Sequence, residues 1–314
     1  MRVSTHVFAS PEGPLPPLPA VGGARALAGR FLRVPGAIAG LSLLLAMVFA
    51  ATTAGWVAPA LPFESVAGPL QPPSPAHPMG TDDLGRDLLS GIMYGARTSL
   101  LVMLAVAAIS SLIGVAVGAV AGFRGGLLDD LLMRSTEVVQ SVPRFFLAVI
   151  VIALFGPGVD RLVVLLGLTS WPILARVVRA ETLSLRQREF VEAARSLGAS
   201  DWRILLRHVL PNIAPSAVVV ISLTAASVIL LEAALGFIGL GDPRLMSWGY
   251  LASNGQRFLR AAWWLAFFPG IAILATVLGL NLVSDALNDL LDPRTLSREL
   301  GRTPGELPPE TVIA

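Results

Sequence analysis

Residues 98–122 read TSLLVMLAVAAISSLIGVAVGAVAG, a run with no charged residue. As an α-helix it rises about 37 Å, enough to cross a hydrocarbon layer of ~30 Å. Small residues punctuate it at Gly114, Gly118, Ala119 and Gly122. In lipid that spacing lets helices approach closely, because packing rather than hydrophobicity holds them together. A tight bundle contact is the reading here, not a pore.

Five further apolar runs lie at about 36–58, 138–156, 160–180, 213–238 and 264–284, so six spans are expected. The composition agrees. Of 314 residues 54% are hydrophobic and only 14% charged, whereas a soluble domain carries about a quarter charged residues. There is no Cys, which excludes disulfides and thiolate metal sites. All 23 basic residues are Arg. A P-loop reaches the β- and γ-phosphates with Lys, so this chain carries no ordinary one, and ATP, if it drives the protein, is bound by another subunit. Residues 1–34 are rich in Pro, Gly and Ala and read as a disordered cytoplasmic tail, followed by a membrane domain over 35–294 and a second tail over 295–314. The first apolar run starts too far from Met1, and is too long, for a secretory signal.

Arg counting sets the orientation. With the N-terminus inside, 17 Arg fall on inner segments and six (Arg86, Arg97, Arg161, Arg244, Arg257, Arg260) on outer ones. Both termini are therefore expected to be cytoplasmic, with long outer segments at 59–97 and 239–263.

One inner segment is long, charged and helical in pattern. Residues 189–211 hold Phe190, Ala193, Ala194 and Leu197 at i, i+3, i+4 and i+7, one apolar face. Gly198 suits the left-handed residue that ends a helix. Ser200 is placed to cap a second helix with Asp201 on its positive end, and Trp202, Leu205, Leu206 and Val209 repeat the apolar face. Pro211 opens the fifth span. Such a helix–Gly–helix elbow either lies in the lipid interface or on its own bundle, or docks into a partner's cleft.

The residues Glu192-Ala193-Ala194-x-x-x-Gly198, followed by Leu210-Pro211, resemble the EAA loop of ATP-binding-cassette importer permeases, with His208 where the general pattern has Ile. The resemblance extends over about 35–294. It includes His77-Pro78-Met79-Gly80-Thr81-Asp82-Asp83-Leu84-Gly85-Arg86-Asp87, Trp171-Pro172, Ser184 to Phe190, Leu235 to Gly241 and Leu291-Asp292-Pro293-Arg294. These are similar to the dipeptide/oligopeptide/nickel family, and within it to the second, C-type permease. The resemblance implies an all-α integral membrane protein of the type I importer permease fold, with six transmembrane helices. It implies a pore shared with a homologous second permease, two ATPase subunits beneath, and an extracytoplasmic binding protein. The stretch 184–211 would be the coupling elbow, with Glu192, Ala193, Ala194, Gly198, Ser200, Asp201, Leu210 and Pro211 as the ATPase-coupling residues. The cargo implied is a peptide, or alternatively a nickel chelate or other small solute. No cofactor, catalytic residue or nucleic-acid partner is expected.

Further residues invite chemistry of their own. Asp82, Asp83 and Asp87 do not follow the spacing of a Ca²⁺ loop. Thr81 reads instead as the cap of a helix with Leu84, Leu88 and Ile92 toward the membrane. Glu232 lies inside the fifth span near its outer end, where an ionisable residue is a functional suspect; it lines the pathway, holds the subunit interface or reaches outer water. Asp285 and Asp289 close the sixth span and read as structural. His6, His77 and His208 are too scattered for a metal site. A self-sufficient secondary transporter needs more mid-span charges or matched broken helices. Only Glu232 qualifies.

Overall fold

The computed structural model describes Gly29 and residues 31–291. The expected tails, apart from Gly29 and residues 31–34, and the end of the resemblance at Asp292-Pro293-Arg294 lie outside the described residues. Every regular element among those residues is helical: α1 (Pro35–Val57), α2 (Leu88–Arg124), α3 (Gly126–Ser141), α4 (Arg144–Phe155), α5 (Val159–Arg186), α6 (Glu189–Ser196), α7 (Asp201–Ile204), α8 (Leu210–Phe237), α9 (Trp248–Gln256) and α10 (Trp264–Leu291). A π turn, Leu205–Val209, runs α7 into α8 without a break. Five helices are long and apolar enough to cross a membrane, and α3 with α4, bent by 70°, counts as a sixth when taken as one span.

That bend corrects the expected third span. Residues 138–156 do not form one helix, because Val142 precedes Pro143 and is extended (φ −102°, ψ 123°). The pyrrolidine ring disfavours the helical region for the residue before it, and an apolar run does not reveal this. The second span also differs. It begins at Leu88, not near 98, and is capped by Asp87, whose Oδ1 accepts from Ser90 N and Ser90 Oγ, both at 2.8 Å. Thr81 caps no helix; its hydroxyl donates to Gly68 O at 2.8 Å and accepts from Gln71 N at 2.9 Å. Leu88 and Ile92 face the bundle, not the membrane, and Leu84 precedes the helix.

The residues between α1 and α2 fold into a cap over the first turns of α2 and α10. Gly80, at φ 79°, packs against Trp264, whose indole N–H donates to Thr81 O at 3.2 Å. His77 Nδ1 lies 3.0 Å from Asp87 Oδ2, and Asp82 Oδ1 accepts from Leu84 N and Arg86 N. Burial pushes the Asp82 carboxyl above its ordinary range, against the pull of those amides and of Arg86.

The tightest packing joins α2 to α5. A Cβ at Gly118 would overlap Ala175 O, and one at Gly122 would stand 2.7 Å from Arg179 O. The small-residue spacing is thus a helix–helix contact. Pro172, inside α5, donates nothing to the carbonyl four residues back, and Trp171 Nε1 takes that carbonyl, Leu168 O, at 3.0 Å. The Trp171-Pro172 pair keeps the helix intact through its own proline.

Candidate coupling surface

The elbow is built on the C-terminal ends of α2 and α5. Arg186 Nη1 donates to Phe123 O at 2.9 Å, satisfying a carbonyl in the last turn of α2. After α5, Arg188 starts α6 in an extended conformation. Helix α6 ends in a Schellman motif: Ala199 N donates to Ala194 O at 3.0 Å and Gly198 N to Arg195 O at 2.9 Å, with Gly198 at φ 78°. Ser200 then takes the extended cap conformation (φ −67°, ψ 149°) and its carbonyl accepts from Ile204 N, but its hydroxyl makes no cap hydrogen bond. Asp201 opens α7 as expected. The second arm is not a separate helix. It passes through the π turn into the fifth span, so Leu210 and Pro211 lie in a continuous rod from Asp201 to Phe237.

The buried face differs from the expected stripe. Val191, Ile204, Leu205 and Val209 are buried with Ala119, Phe123, Leu174 and Val178. Phe190, Leu197, Trp202 and Leu206 are exposed, Leu197 at 88% and Trp202 at 62%. In an eight-residue helix with apolar residues at 190, 191, 193 and 194, and Leu197 as its C-cap, two edges are apolar, and periodicity does not say which one packs. Glu192, Ala193, Gly198, Ser200, Asp201 and Pro211 are exposed; Ala194 and Leu210 are half-buried. Arg195 turns from its own helix to pair with Asp201 at 3.8 Å, its guanidinium 5.6 Å above the Phe123 ring. Glu192 makes no ion pair among the described residues.

The surface thus offers a large apolar edge flanked by an unpaired carboxylate, on a turn of defined geometry. An edge of that kind suits either a partner's cleft or the lipid interface.

The half of the bundle nearer the elbow carries a clamp that the sequence did not announce. Arg179 on α5 and Asp129 on α3 form a bidentate pair, Nε–Oδ1 2.5 Å and Nη2–Oδ2 2.7 Å, with side chains 33% and 10% exposed. Arg176 Nε adds a 3.4 Å bond to Thr136 Oγ1. The partners stand 50 residues apart, and no local pattern links them.

Glu232 is buried within the chain and not open to solvent. It is 5% exposed, and its Oε2 accepts from Ser99 Oγ of α2 at 3.1 Å. The Ser247 hydroxyl, capping α9, bonds the same carboxyl. Ser99 Oγ also accepts from Trp248 N at 3.3 Å, and Trp248 Nε1 donates to Ile92 O at 3.1 Å. The residue joins α2, α8 and α9 inside one chain. Nearby, the Arg244 fork holds the Asp242 carboxyl below its ordinary range, with a smaller contribution from the Val159 amide. Glu232→Gln, which keeps an acceptor for the serines, is expected to leave the unfolding midpoint nearly unchanged. Glu232→Leu strands two hydroxyls and is expected to cost about 1–3 kcal/mol. Denaturant titration of the purified subunit reads the difference, and equal losses would refute the node.

The family described as "Binding-protein-dependent transport system inner membrane component" matches residues 114–297. A protein of Brucella suis biovar 1 (strain 1330), whose name assigns it to a peptide transport system as a permease, is 42% identical over 258 residues, covering 81% of this chain and 86% of that one. The di/tripeptide transport system permease protein DppC of Pseudomonas aeruginosa is 39% identical over 84% of this chain and 90% of its own. The dipeptide transport system permease protein DppC of Bacillus subtilis is 38% identical over 82% of each. Among solved structures, the inward-facing MetNI methionine ABC transporter has a chain that superposes with a TM-score of 0.53 at 18% identity, covering 64% of this chain and 96% of that one. At that identity the likeness is one of fold.

Proposed function

The chain belongs to the family of binding-protein-dependent transport system inner membrane components, and from that membership we propose that it is a pore-forming permease subunit of an ATP-binding-cassette importer that moves di- or oligopeptides into the cell. A homologous permease completes the pore, two ATPase subunits sit beneath, and an extracytoplasmic protein delivers cargo. The chain itself is non-catalytic, and ATP is hydrolysed on the separate subunits. Both termini are cytoplasmic, so the elbow faces the ATPases and the cap over the outer ends faces the binding protein.

One observation carries the coupling role: the apolar edge of Phe190, Leu197 and Trp202, left exposed beside the unpaired Glu192. Burying that edge in an ATPase cleft removes the exposure and gives Glu192 a partner. Glu192, Ala193, Gly198 and Asp201 would meet the cleft, while Ala194, Leu210 and Pro211 hold the elbow to the fifth span. Ser200 sets the turn with its backbone.

Two measurements test the reading. In proteoliposomes holding the whole complex, a tryptic peptide mixture is expected to enter only when ATP and the binding protein are both supplied. Uptake independent of either would point to another class of transporter. In this Cys-free chain, a Cys at Ser74 is expected to react with an impermeant thiol reagent from outside, and one at Ser200 only after permeabilisation. The reverse pattern would invert the orientation, against the Arg bias. That bias persists although Arg144, counted as an inner residue, begins α4 beside the mid-span residue Ser170.

A further inference from the structure

The break between α3 and α4 carries a polar seam that neither the elbow nor the cap uses. Arg144 begins α4, whose 12 residues rise about 18 Å to Phe155. Its Nη1 donates to Ser170 Oγ at 3.1 Å. Along α5, Ser170 lies nine residues from Arg161 and six from Arg176, about 13 Å and 9 Å of helix. The guanidinium therefore lies between the levels of those two arginines, within the span of a hydrocarbon layer of ~30 Å. No carboxylate pairs with it among the described residues. Beside it opens a cavity of about 340 Å³, lined by Gln140, Val142, Pro143, Thr169 and Ser170 among others.

Against lipid this arrangement is costly on two grounds. A cation at such depth costs a few kcal/mol or more, and interrupted backbone is tolerated at membrane depth only inside protein or beside water. The inward continuation of the seam agrees. On α3, Asp130, Arg134 and Glu137 are exposed at i, i+4 and i+7, a single charged face leading toward the break. A face with that stripe is wet. A cation that has only a neutral hydroxyl for partner takes its counter-charge from whatever the water brings, and the uncapped start of α4 adds its positive end to the attraction.

We propose that the α3–α4 break lines the water-filled translocation route, and that Arg144, oriented by Ser170, contacts a carboxylate on the cargo in transit. This rests on the peptide-importer reading above, since every peptide with a free C-terminus carries that group. The contact is electrostatic and sequence-independent, as a route for many peptides requires.

The test uses the assembled complex in inside-out vesicles, with Val142→Cys as the reporter. Two methanethiosulfonate reagents, one bearing a sulfonate and one a trimethylammonium group, are compared, each rate normalised to a free thiol in solution. The sulfonate is expected to react about tenfold faster, the focusing of one fixed charge in a walled cleft, and Arg144→Gln to bring the ratio near one. No reaction of the Val142→Cys thiol, or a ratio that Arg144→Gln does not change, would overturn the wet cationic site. That includes the case in which a partner's carboxylate already neutralises Arg144. In the uptake assay, Arg144→Gln is expected to lower peptide entry about tenfold, the loss of one charge-assisted contact, with Arg144→Lys recovering most of it. Normal entry in Arg144→Gln would sink the cargo contact. A complex that takes up no peptide even unmodified would count against the importer reading instead, and the labelling ratio would still decide the site.

Discussion

Gly198→Val is expected to separate the ATPase subunits from a permease that still inserts normally. Gly198 holds φ 78° in the Schellman turn, and a Cβ there would meet nothing within 4 Å. Crowding is therefore not the issue. A left-handed residue with a Cβ costs roughly 1–2 kcal/mol, and branching at Cβ raises that further. The cheapest escape is to abandon the turn, which swings α6 away from α7 and breaks up the apolar edge shared by Leu197 and Trp202. Retention of the ATPases on pull-down should fall about tenfold, the effect of ~1.4 kcal/mol, and cargo-stimulated ATP hydrolysis should fall with it. Gly198→Asn separates backbone from side chain, because Asn tolerates the left-handed region and should keep most retention. Glu192→Ala should act in the same direction, less severely. Wild-type values for both measurements in Gly198→Val would leave the elbow as a plain interfacial helix pair.

The second large effect is expected at the clamp between α3 and α5. Asp129→Ala leaves the Arg179 guanidinium without its carboxylate, in a site where that side chain is two-thirds covered. Stranding a buried charge costs about 3–5 kcal/mol, and the partial exposure of Arg179 puts the loss near ~3 kcal/mol. The double variant Asp129→Ala/Arg179→Leu has no stranded charge and should recover most of the loss. A double-mutant cycle by denaturant titration checks this. If the double variant is no better than Asp129→Ala alone, the pair is not what secures α3.

What could be read from the residues follows their physical period. Spans such as Pro35–Val57 and Trp264–Leu291 are long apolar runs with no competing signal. The elbow was legible because Gly198 ends one amphipathic helix and Asp201 starts another. Its packing face was not, since four apolar positions on eight residues, with Leu197 just beyond them, leave the choice to the surrounding bundle. The break at Val142-Pro143 was masked by apolar neighbours on both sides, although the proline was its signal. Leu88 begins its helix earlier than hydropathy suggests, because Asp87 with Ser90 supplies the cap while the charged Arg97 interrupts the run. The Asp129–Arg179 clamp and the serines around Glu232 depend on tertiary neighbours, which no spacing encodes. Glu232 itself stood out as an ionisable residue in a span, and its partners did not.

Under the proposed coupling role, the continuous course from Asp201 to Phe237, through Pro215, would make the fifth span a lever with unequal arms. Seven residues separate Trp202 from Val209, about 10 Å of helix, while 23 separate Val209 from Glu232, about 35 Å. Pivoting of a rigid rod about the π turn would multiply displacement roughly threefold between Trp202 and Glu232. A 5° tilt that shifts Trp202 by about 1 Å carries Glu232 about 3 Å, as far as its hydrogen bond to Ser99 is long. The outer latch would thus let go after an inner stroke shorter than a single carbon–carbon bond.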